Sequence, residues 1–124
     1  MTSNDPRSAD ELDPDDAKLF TLARGARARV GAAVGAALRD ETGRTYSGAN
    51  VNLPRLTIGA LQLAVAQAVA AGARDCELAV VVADDGGVFD DDLAAVQDLA
   101  GDHVRVIGAL PDGKIVVDLP GVVE

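Results

Sequence analysis

The side chains of this chain best suited to chemistry are a run of carboxylates, one histidine and one cysteine. Asp84, Asp85, Asp90, Asp91 and Asp92 carry the oxygen donors that a hard cation such as magnesium or calcium takes, so a magnesium-dependent hydrolase is one reading of them. The EF-hand spacing is absent, and turn and helix-capping roles account for these residues without an ion. His103 precedes VRVIG with no sequence-local Ser, Cys or second His, which makes it a connector rather than a general base or a metal ligand. Cys76 is the single cysteine, so the chain can build neither an internal disulfide nor a thiolate zinc site. Gly31, Gly35, Gly86 and Gly87 match no phosphate-loop spacing.

The elements that must position these residues are organised around LTIGALQLAVAQAVAAG, Leu56 to Gly72. Nothing between Leu56 and Ala71 is charged, so a helix here is apolar on nearly every side and has to be buried. Thr57 is placed to cap it and Gly72 to end it. The stretch is too short and too rich in Ala and Gln for a membrane span. A core helix on a sheet fits better, its other face against a second layer or subunit.

Residues 1–12 read as a solvated acidic tail, with six acids against two bases from Met1 to Phe20, and residues 13–124 as one domain. Asp13 and Pro14 open a first helix, with Leu19, Leu22, Ala23, Ala26 and Val30 forming its packed stripe. Arg24, Arg27 and Arg29 fall on its solvated side. AVGAALR and RTYSGANV make a hairpin about the turn DETG, and Pro54 ends the second strand. CELAVVVA reads as a central strand covered on both faces. Leu93, Val96 and Leu99 mark a third helix closed by Gly101, and HVRVIGAL and KIVVDL are strands joined by PDG. The order α-β-β-α-β-α-β-β implies a three-layer α/β/α domain with a mixed five-stranded sheet.

Composition narrows the function. At 124 residues and 48% hydrophobic but 2% aromatic, the chain fills one core with aliphatic side chains. A net charge of -9 argues against a nucleic-acid or anionic-membrane surface. No signal peptide or long apolar span is evident, which points to the cytosol.

Within this order the motifs VGAAL at Val34 to Leu38, the turn DETGR, YSGANVN at Tyr46 to Asn52, LTIGA at Leu56 to Ala60 and the final Leu119-Pro120 resemble those of the cytidine deaminase superfamily. The short link between Asn50 and Gly59 is closer to that of blasticidin-S deaminases. The resemblance implies an ancestral chemistry in which a zinc-bound hydroxide attacks the amine-bearing carbon of cytosine while a Glu moves protons. It also implies that this chain has lost that chemistry. The family's CAE falls on Gly59, Ala60 and Leu61, and the second half-site PCxxC on Val88, Phe89 and Asp92. Gly59, Leu61, Phe89 and Asp92 are therefore degenerate catalytic positions, the zinc site is expected to be lost and no other cofactor is implied.

The resemblance carries substrate contacts over only in part. Asn50 matches the sugar-binding Asn, but its Glu partner is Asn52, the Phe before VGAAL is Ala32, and the C-terminal aromatic is replaced around Val122 and Val123. As a local feature Asn50 reads first as a turn asparagine bonding its own backbone. The expectation is a catalytically inactive cytidine deaminase-like protein acting through self-association, as a dimer or tetramer, or through a protein partner. The alternative is a nucleoside-binding module using the vestigial pocket at Asn50 and Asn52.

Overall fold

A computed structural model describes residues 8–120 of the chain. Helix α1 spans Pro14–Val30, strand β1 Val34–Asp40, β2 Thr45–Ala49, β3 Val51–Leu53 and β4 Leu56–Ile58. Helix α2 follows at Ala60–Ala70, then β5 at Cys76–Ala83, α3 at Asp90–Ala100, β6 at Arg105–Ala109 and β7 at Ile115–Leu119. Five strands form one mixed sheet in the order β2-β1-β5-β6-β7. Its β5–β6 pair is parallel and the other three pairs are antiparallel. The three-layer α/β/α architecture is thus the one that the pattern of apolar runs implies.

Period-two alternation builds the two cores. Ala36, Leu38, Ala79, Val81 and Val106 face α2 and α3, together with Leu61, Ala64, Val65, Ala68 and Val96. Ala37, Leu78, Val80, Val82 and Ile107 point to the other side, where Leu19, Phe20 and Ala23 of α1 cover them. Each fully buried Leu or Ile contributes about 1.5–3 kcal/mol. Gly35 sets how close α1 can lie: a Cβ there would overlap the Ala23 carbonyl and the Arg27 backbone. Val30, expected on the packed stripe of α1, is instead 71% exposed, because Gly31 at φ 65 turns the chain away just beyond it.

Three boundaries differ from the sequence reading. Of the expected tail over residues 1–12, residues 1–7 lie outside the described residues, but the remainder is packed rather than solvated. Ser8 bridges Lys114, the Ala9 amide donates to the Gly113 carbonyl at 2.7 Å, and Ala9 and Leu12 are buried. Two apolar side chains thus anchor a segment whose average composition is polar. Pro54 does not end the strand region either: it sits in the tight turn of a small hairpin in which Val51, Asn52 and Leu53 pair with Ile58, Thr57 and Leu56. Thr57 therefore lies in a strand and caps nothing, and α2 begins after Gly59. The positions around Val122 and Val123 lie outside the described residues.

At the far end of β1 the buried Asp40 organises the β1–β2 turn. It accepts from the amides of Thr42 and Arg44 at 2.8 and 3.0 Å, from Thr42 Oγ1 at 2.6 Å and from the Tyr46 hydroxyl at 3.0 Å. Burial pushes its carboxyl up, but these donors together outweigh burial and hold it below the usual 3.8. The stabilisation is therefore complete above that value and lost as pH falls through the folded-state value. Asp40→Ala is expected to remove roughly 3 kcal/mol at pH 7 in urea denaturation, and the difference from the parent chain should narrow when the titration is repeated below pH 4.

Candidate functional site

Beyond the end of β5, the N-termini of α2 and α3 converge. Between them and the start of β1 lies an open cleft of about 440 Å³, lined by residues that include Asn50, Asn52, Gly59, Gln62, Phe89 and Asp92. The start of β1 supplies Ala33 and Val34, the β3–β4 hairpin supplies Thr57 and Ile58, and Asp91 lies on the same lining as Phe89. The structure thus brings five of the six sequence-predicted positions to one place. Leu61 is the exception. It is fully buried among the core side chains beneath the helix, so Leu61 extends the core and leaves the cleft open. Phe89 does not plug the cleft either, since it is 66% exposed as the residue preceding α3.

Asp92 is the focus of the site. It lies in the first turn of α3, is 1% exposed, and accepts from the Gln62 amide of α2 through Oδ1 at 3.0 Å. Its Oδ2 is buried with no hydrogen-bond partner among the described residues. Burial is the main cause of a raised carboxyl pKa, opposed by the Gln62 and Leu61 amides and reinforced by Asp91. The sign is opposite to that of Asp40: this group favours folding most when protonated, and its contribution falls as pH rises from the usual 3.8 through the folded-state value. Gly59, the residue before α2, donates its amide to Gln62 Oε1 at 2.7 Å. Gln62 is a member of this site that the sequence reading missed. Its position three residues after the true helix boundary is the capping-box spacing, concealed when the boundary is placed at Thr57.

Asn50 has a structural engagement of its own. Its Oδ1 accepts from the Val34 amide at 2.9 Å while its own amide donates to the Val34 carbonyl at 3.2 Å. The side chain thereby ties the end of β2 to the start of β1, rather than closing a turn on its own backbone. Asn52 is exposed on the hairpin. Ala32 misses the cleft and lines a shallow depression with Arg24, Arg27 and Asp84.

The remaining candidates are dispersed. Asp84 pairs with Arg27, and Asp85 Oδ1 accepts from the Gly87 amide. Asp90 is exposed on the first turn of α3, so the five aspartates do not converge. Among the described residues no group of three or more His, Cys, Asp or Glu could hold a metal. Arg24 lies over the Phe20 ring at 4.9 Å, and Arg29 is exposed, whereas Arg27 turns inward to Asp84. His103 is exposed between α3 and β6. Cys76 begins β5 at the end away from the cleft, and burial pushes its thiol up to about 12, which removes it as a nucleophile. Among the described residues no helix is long and apolar enough to cross a membrane.

A mixed sheet with one helix on one face and two on the other, their N-termini meeting at a cleft, is the framework of a deaminase-type domain. The family profile described as cytidine deaminase-like matches residues 12–113, and the chain belongs to that family. No curated protein sequence matches it. Among solved structures, cytidine deaminase from Burkholderia pseudomallei superimposes with a TM-score of 0.72 at 24% identity, over 80% of this chain and 87% of that one. The enzyme from Mycobacterium leprae gives 0.67 at 21% identity over 88% and 100%. That from Mycobacterium tuberculosis gives 0.65 at 24% over 76% and 85%. At these identities the likeness is one of fold.

Because Asn50 is a structural clamp, Asn50→Ala is expected to destabilise the chain by about 1–2 kcal/mol with no ligand present. Chemical denaturation of the purified variant measures this directly.

Proposed function

We propose that this chain is a member of the cytidine deaminase-like family that does not deaminate and that works by associating with a second copy of itself or with another protein. Gly59 and Phe89 bring no donor atom to the positions where the resemblance expects zinc ligands, and Asp92 already serves as acceptor for α2. One carboxylate is far from the four-coordinate set that zinc takes. With Leu61 buried in the core, nothing at its position can shuttle a proton.

The observation that carries the association reading is the outer face of α2. Ala66, Val69 and Ala70 are exposed on a helix without a single charge. Beside them a groove of about 380 Å³ runs between α2 and α3, lined by Val65, Val69, Ala73, Ala95 and Leu99 with Asp98. Contiguous apolar surface of this kind marks an association face on a water-exposed domain.

A second reading is favoured by the open cleft. Among the described residues its lining offers the Asn50, Asn52 and Asp91 side chains and holds no Lys, Arg or His, which suits an uncharged ligand such as a nucleoside better than a phosphorylated one.

With zinc supplied, the purified chain is expected to form no uridine from cytidine. It should sediment as an oligomer, and Val69→Asp should shift it to monomer while changing its melting temperature by only a few degrees, because the position is 53% exposed. A monomeric parent chain whose melting temperature rises with a nucleoside would favour the second reading. Saturation a hundredfold above the dissociation constant would add about 2.7 kcal/mol.

A further inference from the structure

Neither association nor nucleoside binding explains how the N-terminus of α2 is capped. Gly59 has φ -72 and ψ 158, the extended conformation of a helix N-cap residue, yet it has no side chain with which to cap. The place of that missing side chain is taken from another element. A Cβ built on Gly59 would overlap Asp92 Oδ1 and come within 2.9 Å of Asp92 Cγ and 3.1 Å of Oδ2, and these are the three atoms nearest to it. The carboxylate that fills the space accepts from the amide of Gln62, the third residue of α2, where an N-cap side chain would reach.

We infer that Asp92 is a cap supplied to α2 by α3, a carboxylate tie that joins the two helix N-termini where the family places a metal, and that Gly59 is required because any side chain there would expel it. Two helix N-termini supply the positive end of their dipoles to one point, and four orphan amides per helix need acceptors there. A metal with thiolates and a single carboxylate are alternative solutions to that electrostatic problem. The inference rests on the metal-free reading of the cleft but fails separately from it, since the variants below report on the carboxylate alone.

The test transplants the cap. Asp92→Ala should lower the melting temperature by about 5–10 °C, the effect of a lost cap together with a small cavity. Gly59→Ser alone should lower it at least as far, because the introduced side chain and the carboxylate compete for one space. The combined Gly59→Ser, Asp92→Ala chain vacates that space and returns a hydroxyl to the helix's own N-cap, so it should melt above Asp92→Ala. The comparison needs only these two chains if Gly59→Ser does not fold. A combined variant that melts at or below Asp92→Ala would overturn the inference, as would a Gly59→Ser chain as stable as the parent.

Discussion

The structure depends most on one electrostatic constraint, the meeting of two helix N-termini beyond the ends of the central strands β1 and β5. Bringing α2 and α3 together places unsatisfied amides and two dipole ends in a half-enclosed space. Some acceptor has to sit there. Asp92 does so from within the first turn of α3, and the cost of its near-complete burial is partly offset by the Gln62 amide of α2, which donates to Oδ1. The same burial raises its pKa, and Oδ2 finds no hydrogen-bond partner among the described residues. The site is therefore held together by a group that costs desolvation energy at neutral pH.

The remainder of the fold provides rigidity around that point. The central strand β5 is covered on both faces, α1 closes one side over the space that Gly35 leaves open, and Asp40 fixes the β1–β2 turn at the far end. Asn50 then locks the cleft end of β1 to β2. The cleft wall thus belongs to the sheet and its floor to the two helices. The β3–β4 hairpin, with Leu53 and Leu56 exposed, forms the third side.

Most of the framework could be read from sequence because periodicity and breakers carry it. CELAVVVA announces a doubly covered strand, and Leu93, Val96 and Leu99 a helix. Two of the misreadings come from tertiary contact overriding local chemistry. Ala9 and Leu12 look isolated in an acidic segment but reach the α1 core. Thr57 looks like a cap, whereas the actual capping groups are Gln62 and a carboxylate thirty residues away. Pro54 breaks a strand in local terms and in fact turns a hairpin. The clustering of Gly59, Phe89 and Asp92 was accessible only through family resemblance, since no local spacing joins them. That Leu61 would extend the core and leave the cleft open was not legible at all, because the direction of a side chain depends on where the helix starts.

In this member of the family the two converging helices enclose a buried carboxylate, Asp92, at their meeting point. On the proposed reading a carboxylate, and not a metal, satisfies the converging helices. Metal analysis of untagged protein produced with ample zinc, combined with melting curves before and after chelation, tests it most directly. Far less than one zinc per chain and a melting temperature indifferent to the chelator are expected. One tightly bound zinc per chain, whose removal lowers the melting temperature, would contradict it.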